Sequence, residues 1–224
     1  MSRILVVSTD PQGSAVWWAD RVGDRQPLPF DFSQAHDDRQ GILTLQELGA
    51  KVHVVANQKG GVGKTTIAVN LGAVVTEALG AGENSGYLHV FVDTPGSLED
   101  ERILKACLKV ATDVLVPLPP EPLAFDTTAR TITRAIEPAG LPFTVVINNW
   151  DPRDGKADLN ETRKYVDAMG WPRANTVIRR YKIHTRASVD GMVVTQYPKN
   201  RVALEAGNDF YRLALELGYG GRTQ

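Results

Sequence analysis

Short apolar runs alternate with longer stretches of helical periodicity along the whole chain. The apolar runs lack a strict alternation of polar and apolar positions, which is typical of strands buried on both faces of a parallel sheet. Strands are predicted at 4–7, 51–56, 88–92, 114–118, 143–148, 176–178 and 192–197. Helices are predicted at 65–79, 100–111, 127–136, 159–169 and 201–217. This order predicts a three-layer α/β fold with a doubly wound, mostly parallel sheet.

Two polar stretches, 24–38 and 81–86, are predicted to be loops. Neither is long enough to separate two hydrophobic cores, and no internal repeat is present. Residues 1–224 are therefore expected to form a single domain.

Composition narrows the class of protein. The net charge is −1, so any contact with nucleic acid must come from a local basic patch. The single cysteine, Cys107, cannot form an internal disulfide, and the N-terminus does not resemble a secretion signal, which together favour the cytoplasm. No apolar run approaches the roughly 20 residues of a membrane span. The scattered histidines argue against a zinc site.

The loop between the strand at 51–56 and the helix at 65–79 has the composition of a phosphate-binding loop. Its glycines let backbone N–H groups approach phosphate oxygens, and the helix N-terminus adds positive potential. A lysine that reaches the β- and γ-phosphates and a threonine that ligates Mg²⁺ complete the set. The candidate residues for binding nucleotide are Gly60, Gly61, Val62, Gly63, Lys64, Thr65 and Thr66. A plain glycine-rich turn is the alternative, but strand, glycines, Lys-Thr pair and helix all agree with the first interpretation.

The loop departs from the standard phosphate-loop pattern, which places a glycine where this chain has Gln58. Instead Lys59 precedes the glycines, giving the segment KGGVGKTT of a deviant Walker A motif. In this the chain resembles the ParA/MinD family of partitioning and positioning ATPases, and the plasmid-partition branch most closely. Further resemblances lie in TDPQGSA (9–15), VDTPG (92–96), NNWDPRD (148–154) and GMVVTQYPKNRVALEA (191–206).

The resemblance implies a Mg²⁺-dependent ATPase that binds ATP and ADP and forms a homodimer on ATP. Lys64 would neutralise the phosphates bound by its own subunit, whereas Lys59 would reach the ATP of the partner subunit as an arginine finger does. Without a dimer, Lys59 would be a solvated loop lysine.

Two aspartates are candidates for metal and water chemistry. Asp93 ends an apolar strand, where a carboxylate can hold Mg²⁺ through water, with Thr65 as a further ligand, although Asp93 could also be a capping residue before the DTPG turn. Gly96, three residues further on, would offer its N–H to the γ-phosphate. Asp10 would orient the attacking water, with a turn-forming role before proline as the alternative. Family members commonly carry an acidic residue where this chain has Ser8, and this difference bears on hydrolysis rather than on binding.

Three more residues are candidates for the base pocket. Asn148 and Asn149 follow a strand and could contact the adenine edge, or could equally cap the loop. Pro198 could pack near the base or form a turn.

The densest basic run, RRYKIHTR, is the candidate DNA-binding segment, through Arg179, Arg180, Lys182 and Arg186. The family binds DNA nonspecifically through basic surfaces, and a ParB-type adaptor is the further partner that the resemblance implies. A solvated charged face is the alternative.

The order of the segments differs from that of the family. The DPQG unit (1–50) precedes the phosphate-loop unit (51–82), and the Walker B segment with the remainder (87–224) follows. We interpret this as an exchange of two βα units, which gives a Rossmann-like connection from the loop strand to the Walker B strand. The hypothesis of an engineered rearrangement predicts that the loop strand is not paired with the N-terminal strand.

Three other functions are alternatives to the partition-type ATPase. A rearranged nucleotide-binding scaffold with little or no turnover is the main alternative. A carboxylate-activating ligase of the same superfamily lacks a second-substrate motif here, and the complete phosphate loop argues against a simple DNA-binding module.

Overall fold

The computed structural model describes residues 3–10, 13–22, 27–35, 39–80, 86–97, 101–197 and 200–220. The strands are β1 (Ile4–Ser8), β2 (Asp31–Gln34), β3 (Lys51–Val55), β4 (His89–Asp93), β5 (Asp113–Leu118), β6 (Phe143–Trp150) and β7 (Ile178–Arg179). The helices are α1 (Ser14–Asp20), α2 (Arg39–Leu43), α3 (Lys64–Leu79), α4 (Glu101–Val110), α5 (Pro122–Thr131), α6 (Ala157–Ala168), α7 (Lys182–Val189) and α8 (Arg201–Glu216).

The strands form one parallel sheet in the order β2-β1-β4-β3-β5-β6-β7. The loop strand β3 therefore lies between β4 and β5, while β1 pairs with β4 and β2. The prediction that the N-terminal strand is not a neighbour of the loop strand is confirmed. Helix α3 connects the adjacent strands β3 and β4, as the Rossmann-like connection requires.

Both faces of the sheet are covered by helices. Alternate residues of β1 join different cores: Ile4 and Val6 pack under α1, α3, α7 and α8, whereas Leu5 and Val7 pack under α2, α4, α5 and α6. A strand that is buried on both faces needs apolar residues at successive positions, which explains the continuous apolar runs in the sequence. The predicted α/β class and three-layer architecture are confirmed.

Two of the sequence predictions are wrong. The run 192–197 forms turns rather than a strand, because its backbone donors bind outside any sheet: Val194 N–H donates to the Asn70 side chain on α3, and Gln196 N–H donates to the Val193 carbonyl. The predicted loop 24–38 contains the edge strand β2, whose exposed residues lack the apolar signal of the central strands. Most of the predicted loop at 81–86 lies outside the described residues.

None of the helices in the described ranges is both long and apolar enough to cross a membrane.

A chain of polar side chains lies toward the starts of β3, β4 and β5, with both histidines buried. His53 Nδ1 lies 2.9 Å from Asp113 Oδ2, and His53 Nε2 lies 2.8 Å from His89 Nδ1. The Tyr219 hydroxyl donates to Asp113 Oδ1 at 2.9 Å. Because a carboxylate only accepts, His53 Nδ1 carries a proton and donates it to Asp113. Burial, and next the charge that His53 can carry, lower the pKa of His89 to about 4.

This buried histidine makes stability depend on pH. The pKa of His89 is lower in the folded than in the unfolded protein, so the unfolded state binds more protons between pH 4 and about 6.5. The free energy of unfolding should fall as pH decreases through this window, by at most about 1.4 kcal/mol per pH unit from this group. Urea unfolding at several pH values, compared between the wild type and His89→Gln, isolates the contribution of His89. An equal slope in both proteins would contradict it.

Candidate nucleotide site

The loop between β3 and α3 has the backbone conformation of an anion-binding turn. Gly61 and Gly63 adopt positive φ angles of 75° and 87°, which disfavour any other residue. A Cβ atom at Gly63 would also lie 2.2 Å from Asn148 Nδ2, so this position has no room for a side chain. The loop thus leads into the first turn of α3, where unpaired N–H groups favour negative charge.

Lys64 extends from this turn back along the loop. Its ammonium group donates to the Lys59 carbonyl at 3.2 Å, and the side chain is buried. Burial lowers the pKa of Lys64, while the charges of Asp93 and Asp10 act in the opposite direction. A Cβ at Gly96 would lie 2.9 Å from Lys64 Nζ, so the backbone of the Walker B segment passes directly beside the ammonium group.

Thr65 and Asp93 form the second half of the site. Thr65 Oγ1 donates to Asp93 Oδ2 at 2.7 Å, and Asp93 is 0% exposed. Burial raises the pKa of Asp93 to about 7, against the effects of the Thr65 hydrogen bond and the Lys64 charge. Asp93 Oδ1 is buried and has no hydrogen-bond partner among the described residues.

These donors fit a magnesium ion. A hydroxyl group and a carboxylate with a spare oxygen lie together beside a loop suited to phosphate. The described residues contain no group of three or more His, Cys, Asp or Glu side chains arranged to hold a metal. Mg²⁺ matches this small set, since it usually keeps several waters and takes its other ligands from phosphates.

A cleft of about 630 Å³ opens over these groups. Asp10, Lys64, Thr65 and Gly96, which the sequence predicts for the site, line it together. Asp10 is carried there by the turn after β1, in which the Gly13 N–H donates to the Asp10 carbonyl at 2.9 Å. Lys59 is not among the described residues that line this cleft, so its predicted action on a neighbouring subunit remains a prediction.

Two tryptophans form the far wall of this cleft. Trp18 is buried and donates from Nε1 to the Met192 carbonyl at 2.8 Å. Trp17 is 44% exposed and carries the Arg21 guanidinium 3.8 Å from its ring centre. These contacts do not indicate a catalytic role for either tryptophan, and Trp18 serves as a packing residue.

A second cleft of about 600 Å³ adjoins the loop on its other side and is lined by Asn148, Asn149 and several basic residues. Asn148 is buried, and its Nδ2 donates to the Val62 carbonyl at 2.7 Å. This hydrogen bond favours a role for Asn148 in holding the loop over a role in contacting the adenine. Asn149 adopts a φ of 63° where β6 shifts register, and Pro198 lies outside the described residues.

The basic residues predicted to bind DNA differ in whether they are bound within the protein or exposed. Arg179 is bound within the protein, since its guanidinium donates to Asp209 at 2.8 Å and to the Glu205 carbonyl at 3.1 Å. Arg180, Lys182 and Arg186 are exposed. The helix α7, which was not predicted from the sequence, places Lys182 and Arg186 one turn apart.

Fold and site together define a phosphate-loop nucleotide-binding protein. The chain is 31% identical over 215 residues, 96% of its length and 80% of the relative, to maintenance of carboxysome distribution protein A of Gloeobacter kilaueensis. No family model matches the chain. This similarity nevertheless shows that the chain belongs to the ParA/MinD-type ATPases.

Solved structures show the same fold. The MinD cell division protein of Aquifex aeolicus matches with a TM-score of 0.60 at 16% identity, over 78% of this chain and 99% of that one. An ATP complex of a McdA variant from Cyanothece matches with a TM-score of 0.53 at 14% identity, over 78% and 99%.

The Asn148 contact makes a prediction about binding. Asn148→Ala removes the hydrogen bond that holds the Val62 carbonyl and should weaken ATP and GTP binding alike, by about three- to tenfold. Calorimetric titration with both nucleotides measures this, and Asn160→Ala, an exposed asparagine on α6, is the matched control. A loss confined to ATP would indicate that Asn148 reads the base instead.

Proposed function

We propose that this protein is a Mg²⁺-dependent ATPase that dimerises on ATP and positions a cargo. The observation that carries the proposal is the joint presence of Lys64, the Thr65–Asp93 pair and Asp10 around one cleft. Lys64 supplies a positive charge for the phosphates, Thr65 and Asp93 supply a metal site, and Asp10 supplies a carboxylate for the attacking water. Hydrolysis of a nucleoside triphosphate needs all three.

Each side chain has one task in this mechanism. The loop N–H groups and Lys64 bind the β- and γ-phosphates and offset the charge that develops on them. Thr65 and Asp93 would hold Mg²⁺, which when bound would offset the negative charge of the phosphates. Asp10 orients a water molecule for in-line attack and accepts its proton. Lys59 acts on the nucleotide that a second subunit binds.

Mixing two inactive variants tests whether Lys59 acts across a dimer. Lys59→Ala should retain ATP binding but lose hydrolysis by about a thousandfold, as for loss of an arginine finger. Asp10→Ala should also retain ATP binding and its own Lys59, but should not hydrolyse the nucleotide in its own cleft. Mixed subunits should recover turnover, measured as phosphate release, because Lys59 of the second variant then reaches ATP held by the first.

The exposed lysine Lys105 on α4 provides the control, since it pairs with Glu101 and lines neither of the two clefts beside the loop. Wild-type turnover in Lys59→Ala, or no recovery on mixing, would contradict action across the dimer.

The proposal includes nonspecific binding of DNA by the ATP-bound dimer. Lys182 and Arg186 share one face of α7, and Arg201 joins them around a shallow groove of about 390 Å³. Clustered exposed cations bind the phosphate backbone without reading sequence. An adaptor protein on the cargo would then stimulate hydrolysis. Because one relative is named for carboxysome distribution, the cargo need not be a plasmid.

Removing two of these charges tests the DNA surface. A variant with Lys182→Ala and Arg186→Ala should bind random-sequence duplex more weakly and lower the slope of log affinity against log salt by about two. Fluorescence anisotropy over a salt series, with ATP present, measures both values. Lys105→Ala with Lys109→Ala removes the same charge from the opposite face. Equal losses in both double variants would mean that α7 is not the binding surface.

A second candidate function is a nucleotide-binding scaffold with little turnover, made by exchanging two βα units. Such an exchange requires the N-terminal strand to be separated from the loop strand by β4, which is the sheet order of this chain. In both proposals ATP binds with Mg²⁺, but the two differ in the effect of Asp10→Ala on phosphate release. In the scaffold this substitution would leave an already low rate unchanged, whereas in the ATPase it would lower the rate.

A further inference from the structure

Two buried polar residues face each other at the ends of β1 and β4. Ser8 and Asp93 are direct partners in the parallel ladder, so their Cα atoms lie about 4.8 Å apart. Both are 0% exposed. Their side chains point to the same face of the sheet, since Val6 and Phe91, two positions earlier on each strand, both join the core beneath α3.

Each of these two residues has an oxygen that lacks a partner. Ser8 Oγ and Asp93 Oδ1 are buried and accept or donate no hydrogen bond within the described part of the chain. The other carboxylate oxygen, Asp93 Oδ2, is already bound by Thr65. Buried polar atoms in folded proteins are normally satisfied, by protein or by ordered water. A pair of unsatisfied oxygens beside a metal site therefore points to a missing shared partner.

We propose that Ser8 is a positioning residue for the magnesium site, and that its hydroxyl and Asp93 Oδ1 together hold one water of the ion's hydration shell. This inference rests on the proposed function, because it needs Mg²⁺ to bind beside Thr65 and Asp93. A hydroxyl group can accept from or donate to such a water, while the carboxylate accepts from it. Being neutral, Ser8 orients the water without adding negative charge toward the ion.

The consequence is a specific dependence on magnesium. Removing the Ser8 hydroxyl should leave the phosphate contacts of the loop intact, since they come from backbone N–H groups and Lys64. It should raise the Mg²⁺ concentration needed for half-maximal nucleotide binding, by about three- to tenfold for the loss of one water-mediated contact.

Magnesium titrations of a fluorescent ATP analogue test this without relying on turnover. Ser8→Ala should require about three- to tenfold more Mg²⁺ than the wild type, yet bind the analogue equally in EDTA. Thr195→Val is the matched control, because Thr195 Oγ1 is also a buried oxygen without a partner but lies in the turn after α7. The control should titrate like the wild type.

A second variant covers the case in which Ser8→Ala alters the fold. Ser8→Asp places another carboxylate beside Asp93, so Mg²⁺ without nucleotide should raise its melting temperature more than that of the wild type. An unchanged Mg²⁺ requirement in Ser8→Ala, or an equal loss of binding with and without Mg²⁺, would overturn the role of Ser8. Failure of the wild type itself to bind the analogue with Mg²⁺ would instead overturn the proposed function and this inference with it.

Discussion

The hydrogen bond from Thr65 to Asp93 is the contact on which the rest of the site depends. It joins the first turn of α3 to the last residue of β4, and it forms only because β3 and β4 are neighbours in the sheet. Their register, which pairs Val55 with Asp93, brings the start of the loop level with the carboxylate. A shift of one residue would turn Asp93 to the opposite face and leave Thr65 without a partner.

Strand position, rather than order along the chain, assembles the other groups. Parallel strands end at the same edge of a sheet, and ligands of open α/β folds bind at that edge. Asp10 follows β1 and therefore reaches the cleft from beyond β4, although β1 comes before the loop strand in the sequence. Thr9 fixes this approach, since both its N–H and its hydroxyl donate to the Asp93 carbonyl at 2.9 Å. The sheet thus brings together a site whose segments are far apart along the chain.

Local chemistry explains what the sequence predicted correctly. The phosphate loop was predictable because positive φ angles and close backbone approach require glycine, and Gly61 and Gly63 meet both conditions. The central strands were predictable because burial on two faces demands unbroken apolar runs. The strand predicted at 192–197 shows the limit of that signal, since a buried turn is just as apolar and Asn70 supplies its hydrogen bond from 124 residues away.

Long-range pairing explains what sequence reasoning missed. Arg179 belongs to a basic run, yet its guanidinium is bound by Asp209, 30 residues further along the chain. For Asn148 the sequence leaves a base contact and a loop contact equally open, and only the structure shows that its amide donates to the Val62 carbonyl, 86 residues earlier. The polar edge strand β2 has no apolar alternation to reveal it and depends on β1 for its pairing. No local pattern encodes such contacts, because each arises only when the sheet is assembled.

A crystal structure with a non-hydrolysable ATP analogue and Mg²⁺ tests the central claim most directly. The triphosphate should lie within the loop at 60–66, with the ion beside Thr65 and Asp93 and with Asp10 facing the γ-phosphate from beyond β4. A triphosphate bound away from this loop, or an Asp10 carboxylate turned out of the cleft with the analogue in place, would contradict it.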